Sequence, residues 1–128
     1  MSDVVKLVYC VRKREEMSDA DFRDYWLNRH GPLVRSLWEK GTFPGMLRYV
    51  QSHTELDASE SVRASRGAKP PYDGITEVWM DTSQQGGGDD AARAASAEAG
   101  KILLEDESTF IDFAGSAVFI TREHTIFE

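Results

Sequence analysis

An α+β fold of the ferredoxin-like type, βαββαβ around a four-stranded antiparallel sheet, follows from three observations on this sequence. The chain reads strand, helix, strand, strand, helix, strand, which is the split βαβ order. Its 128 residues fit one domain, 1–128. Three of its strands carry apolar residues on both sides, so the sheet has no clean wet face.

The first strand is 4–12. Val5, Leu7, Tyr9 and Val11 alternate with Val4, Lys6, Val8 and Cys10. The first helix is 19–29. Ser18 with Asp21 reads as its capping box, and Phe22, Trp26, Leu33 and Leu37 recur at roughly helical spacing. Gly31-Pro32 interrupts it, because proline lacks an N–H and disfavours helical geometry in the residue before it. Carbonyls near residue 28 are therefore expected to need another partner. The helix resumes over 32–40 and stops at Gly41.

Met46–His53 is the second strand, with Leu47, Tyr49, Gln51 and His53 on one face. Residues 54–71 form the least structured stretch. Only a short, weakly amphipathic helix is conceivable near 60–66, so the connection is expected to be mobile and to lie at a pocket mouth or a dimer edge. The third strand is 72–81. In 82–90 a run of three glycines lacks the lysine and Ser/Thr of a phosphate loop, which argues against a nucleotide. An alanine-rich helix covers 91–104, an acidic Glu105-Asp106-Glu107 follows, and 113–122 is the last strand.

Right-handed crossovers put both helices on one face of the sheet. The other face, bare and largely apolar, is expected to meet a second copy, giving a homodimer. A net charge of −7 with no basic stripe excludes nucleic acid and an anionic membrane surface as partners. No segment has the length and apolarity of a signal peptide or a membrane span. The single cysteine, Cys10, cannot form an internal disulfide and suits the cytoplasm.

Candidate chemistry centres on His30, a titratable ring beside the Gly31-Pro32 bend. It reads either as a proton-transfer group or as a ring that plugs the bend. Tyr49 could donate a hydrogen bond to a substrate oxygen or simply pack in the core. His53 reads as a strand-end surface residue. Asp73 could orient a histidine, act as a base, or cap a turn before Gly74. Tyr72 and Trp79, with Trp26, are candidate pocket walls. Glu77 is either a pocket acid or a partner of Arg48. The three histidines, His30, His53 and His124, have no ligand spacing, so no metal is expected. A lone axial His30 could serve a haem, but nothing marks a pocket of that size. Acidic residues after a helix oppose its dipole, and the ordinary explanation for Asp106 is a cap for the next turn.

Phe22-Arg23-Asp24-Tyr25-Trp26-Leu27-Asn28-Arg29-His30-Gly31-Pro32, Leu47-Arg48-Tyr49-Val50-Gln51, Pro71-Tyr72-Asp73-Gly74-Ile75-Thr76-Glu77-Val78-Trp79, and Glu105-Asp106-Glu107 with Phe110-Ile111-Asp112 resemble the EthD family, in order and over nearly the whole chain. The long 54–71 connection and the glycine-rich 82–90 loop depart from its pattern. The resemblance implies a dimeric α+β barrel. Proteins of that type include small monooxygenases, isomerases, dehydratases and haem enzymes. The family takes its name from a gene cluster for alkyl ether degradation, and fungal relatives are associated with dehydration or decarboxylation of aromatic polyketide intermediates. The expected function is therefore a cofactor-independent lyase or isomerase that moves a proton on a small hydrophobic or aromatic carbonyl compound, with catalytic His30, Tyr49 and Asp73. The alternatives are a non-enzymatic dimeric carrier of a hydrophobic metabolite and a cofactorless monooxygenase.

Overall fold

A computed structural model describes residues 3–128. Strand β1 (Val4–Val11) leads into α1 (Asp19–Tyr25), a π-helical turn (Trp26–His30) and α2 (Gly31–Glu39). Then come β2 (Met46–His53), α3 (Leu56–Arg66), β3 (Gly74–Asp81), α4 (Asp90–Glu107) and β4 (Ala117–Thr121). The sheet order is β2-β3-β1-β4 and every pairing is antiparallel, as the split βαβ order requires.

Ser18 caps α1 by accepting from the Asp21 N–H at 3.1 Å, and Asp19 and Asp21 add favourable charge in its first turn. The chain does not break at Gly31-Pro32. Gly31 stays helical at φ −54°, ψ −54°, and the missing proline donor is absorbed by widening one turn to π geometry. The Trp26 carbonyl has two donors. It receives the Gly31 N–H and the Gln51 side-chain amide at 2.8 Å. The expected break of the helix at Gly31-Pro32 is thereby corrected.

Residues 54–71 contain a three-turn helix, not a coil. Gly67, in the left-handed region at φ 63°, ends α3, and none of its residues is buried. Helix α4 runs on to Glu107, past the expected end at 104, because its acidic last turn has partners in the core. Strand β4 begins at Ala117 and not at 113. Asp112 and Ser116 instead hold a turn against β1, with the Arg12 N–H donating to Ser116 Oγ at 2.9 Å.

The core is Val11, Phe22, Trp26, Phe110 and Ile111, between α1, the π turn and the end of α4. Tyr9 lies opposite Thr76, which lies opposite Gln51, so these three share the helix-covered face of the sheet. Lys6, Val8, Cys10, Ile75, Glu77 and Trp79 lie on the other face, which no helix covers.

Candidate active site

The π turn points His30 inward, leaving it only 5% exposed with its ring tilted against Phe110 at 5.1 Å. Its Nδ1 stands 2.7 Å from Asp106 Oδ2. Asp106 also accepts the hydroxyl hydrogen of Tyr25 through its other oxygen. A carboxylate beside a buried imidazole fixes the tautomer: Nδ1–H donates to Asp106 and Nε2 carries the lone pair. Burial pushes the His30 pKa below its usual 6.5, and the Asp106 charge opposes this only in part. His30 is therefore a neutral base at pH 7.

Below the π turn the sheet carries a row of polar side chains. Gln51 Nε2 donates to the Trp26 carbonyl and, at 3.1 Å, to the Tyr49 hydroxyl. Its Oε1 lies 2.9 Å from His53 Nε2, so that ring nitrogen carries the hydrogen. Burial raises the Tyr49 pKa, and the hydrogen bonds from Gln51 and Thr76 offset part of the rise. Tyr49, with Gly31 and Val34, also walls an open cleft of about 240 Å³ between α2 and edge strand β2. Tyr49 thus stays protonated at neutral pH and can donate to an oxygen.

The other residues singled out from the sequence fall elsewhere. The carboxylate that orients His30 is Asp106, not Asp73. Asp73 accepts the Lys13 N–H at 2.8 Å and stands 3.8 Å from Arg12, pinning the start of β3 to the end of β1. Trp26 is 1% exposed and stacks on His53 at 4.4 Å, which makes it core and not a ligand wall. His53 is accordingly packed inward and is not a surface group. Tyr72 is flanked by Arg12 at 4.9 Å and Lys69 at 4.7 Å, away from His30. Glu77 and Trp79 occupy the uncovered face. Glu77 pairs with Lys6 at 2.6 Å, and not with Arg48, which instead lies over Trp79 at 4.6 Å. Of the seven candidates, Tyr49 is joined to the Trp26 carbonyl through Gln51, and His30 ends the π turn that Trp26 begins.

Three further residues enter the site. Asp106 and Glu107 were legible only as acidic residues set against a helix dipole, a placement that needs a local cause. Gln51 offered no signal beyond sharing a strand face with Tyr49. Among the described residues no group of three or more His, Cys, Asp or Glu side chains converges as a metal site, and no helix is long and apolar enough to cross a membrane.

None of the curated proteins compared with this chain matches it. Solved structures do. An ethyl tert-butyl ether degradation (EthD) family protein from Bacillus halodurans C-125 aligns over 94% of this chain and 99% of its own, with 19% identity and a TM-score of 0.54. An EthD-like protein from Ralstonia eutropha JMP134 aligns over 94% of this chain and 92% of its own, with 16% identity and a TM-score of 0.52. At such identities the likeness speaks for the fold alone. The EthD domain itself matches residues 14–114, a span that takes in the π turn, all of β2 and β3, and the acidic end of α4. The chain belongs to the EthD-domain family.

Proposed function

We propose that this protein is a cofactor-independent proton-transfer catalyst, of the lyase or isomerase type, for a small hydrophobic or aromatic carbonyl compound. The pairing of buried His30 with Asp106 carries the reading. A neutral imidazole, held in one tautomer by a carboxylate and walled by Phe110, is built to take a proton through Nε2. Tyr49 supplies a protonated hydroxyl for the oxygen on which charge develops. The single cysteine, unpaired on the sheet, suits a reducing cytoplasm.

The working unit in this reading is a homodimer, joined through the uncovered face of the sheet. Val8, Cys10 and Ile75 lie there in adjacent registers, with the Lys6–Glu77 pair among them. A second copy would remove this mixed apolar surface from water.

The test needs no knowledge of the natural substrate. 2-Tetralone, an aromatic ketone with acidic α-hydrogens, is incubated with the protein in deuterated buffer and followed by proton NMR. His30 takes the α-proton, the C–H electron pair moves into the enolate, and a deuteron returns to the same carbon. The wild type is expected to exchange these hydrogens faster than buffer. His30→Asn should lower the rate by roughly 10²–10⁴, with binding changed far less. Binding of 2-tetralone without exchange would favour the carrier reading, and an unchanged rate in His30→Asn would overturn the assignment of the base.

A further inference from the structure

The amide of Gln51 can point only one way. The Trp26 carbonyl, 2.8 Å away, accepts and cannot donate, so the atom facing it is the nitrogen. The oxygen then faces His53 Nε2 at 2.9 Å, on a ring stacked against Trp26. The nitrogen has two hydrogens. One goes to the Trp26 carbonyl, and the other goes to the Tyr49 hydroxyl oxygen at 3.1 Å. Gln51 and Tyr49 stand two residues apart on β2, so both project from its helix-covered face.

The consequence falls on Tyr49. Gln51 presents it with a donor, so the hydroxyl acts there as an acceptor. Its own hydrogen goes to no other group among the described residues. Gly31 lies directly over the amide, since a Cβ there would stand 3.3 Å from Gln51 Nε2. Gly31 and Tyr49 both wall the cleft of about 240 Å³ between α2 and β2, so the amide and the hydroxyl meet at its inner wall. The rest of the cleft is largely apolar, with Val34, Trp38 and Leu47 among its walls. The Trp38 ring is fixed by its N–H, which donates to the Met46 carbonyl at 3.0 Å. Strand β2 is an edge of the sheet, and the cleft beside it is open.

We propose that Gln51 is a positioning residue: by donating to the Tyr49 oxygen it turns the Tyr49 hydrogen into the α2–β2 cleft, where an apolar aromatic ketone places its carbonyl oxygen. This rests on the proton-transfer reading, in which Tyr49 serves the oxygen that gains charge, and it assigns the seat of the ketone. A hydroxyl that already accepts a hydrogen bond is also the better donor, because bonds in a chain polarise one another. The chain here runs from His53 through Gln51 to Tyr49.

2-Tetralone labelled with carbon-13 at its carbonyl is the probe. A hydrogen bond to the oxygen moves that resonance downfield whether or not exchange occurs. The wild type and His30→Asn should both show the shift on binding, so failure of the base and failure of this assignment give different results. Tyr49→Phe should abolish it. Gln51→Met keeps the length of the side chain and removes both donors, while the Trp26 carbonyl keeps the Gly31 N–H. It should lose most of the shift and lower the exchange rate by roughly tenfold. In the Tyr49→Phe background the same substitution should change neither readout further, because Gln51 acts only through Tyr49. A merely structural Gln51 would lower the rate in both backgrounds. If Gln51→Met does not fold, the wild type carries the test: its Tyr49 Cζ resonance, assigned by its loss in Tyr49→Phe, should move on adding the ketone. A carbonyl shift unchanged in Gln51→Met, a further fall in the double variant, a Tyr49 resonance that stays in place, or no binding at millimolar ketone would each overturn the proposal.

Discussion

Asp106 joins three elements through one carboxylate, since it holds Tyr25 of α1 and His30 of the π turn from the end of α4. Asp106→Ala would leave the Tyr25 hydroxyl and the His30 Nδ1–H without their acceptor. The expected loss is about 1–3 kcal/mol in urea unfolding, the usual cost of an orphaned buried polar group. The His30 pKa should fall further in the same variant, because Asp106 is what partly offsets burial. Two ionisations here act on stability with opposite sign. The folded-state pKa of His30 is lowered, so its contribution is present above pH 6.5 and is lost as pH falls through the folded value. That of Glu107 is raised from 4.5 to about 7, so its contribution is full below pH 4.5 and is lost as pH rises through about 7. Glu107→Gln should therefore show a higher urea midpoint than the wild type at about pH 8, and no such advantage at about pH 4.

Among the elements, the two glycines that meet the π turn are not equivalent. A Cβ on Gly74 would lie 2.5 Å from Trp26 Cζ3 and 2.6 Å from the Ser52 carbonyl, a ring locked in the core and a backbone atom. Gly74→Ala should cost about 1–3 kcal/mol by overpacking, measured by urea unfolding. A Cβ on Gly31 would lie 3.3 Å from the movable Gln51 side-chain amide and 3.6 Å, an ordinary contact, from the Trp26 carbonyl. With helical φ and ψ at that position, Gly31→Ala should be neutral or stabilising by up to about 1 kcal/mol. Helix α3 is a different case. It buries no residue, and Leu56 and Val62 are exposed, so little tertiary contact supports it. Its amides should exchange with solvent well ahead of those of β1, which is paired on both sides. Protection in α3 equal to that of β1 would show that some further surface holds it.

At the scale of the whole molecule, the sheet divides the chain into two chemistries. The covered face carries His30, Tyr49 and Glu107. The uncovered face carries Trp79, which donates to Glu123 and lies under Arg48, and the Lys6–Glu77 pair. Sedimentation at micromolar concentration should give twice the monomer mass. Val8→Lys, which places a charge opposite Glu77 in the middle of that face, should shift the equilibrium toward monomer while the far-ultraviolet circular dichroism stays unchanged. A wild-type monomer would sink the interface.

The strands and both crossovers were legible because their information is local. Alternation marks β1 and β2, and Ser18 marks the start of α1. The family likeness was legible for the same reason, as short motifs in order. His30 and Tyr49 could be picked out by residue type, but the carboxylate that serves His30 could not. Asp73 sits near it in the order of motifs, whereas Asp106 is 76 residues away and reaches it only because α4 packs against the π turn. Period-2 alternation assigns Trp79 and Glu77 to one side of a strand, but it does not say which side the helices take. The crossovers place the helices above Tyr9, Thr76 and Gln51, and this left Trp79 and Glu77 on the far face. Chain-local chemistry thus determined the fold and the motifs, and packing between distant segments decided which acids, tyrosines and imidazoles share a site.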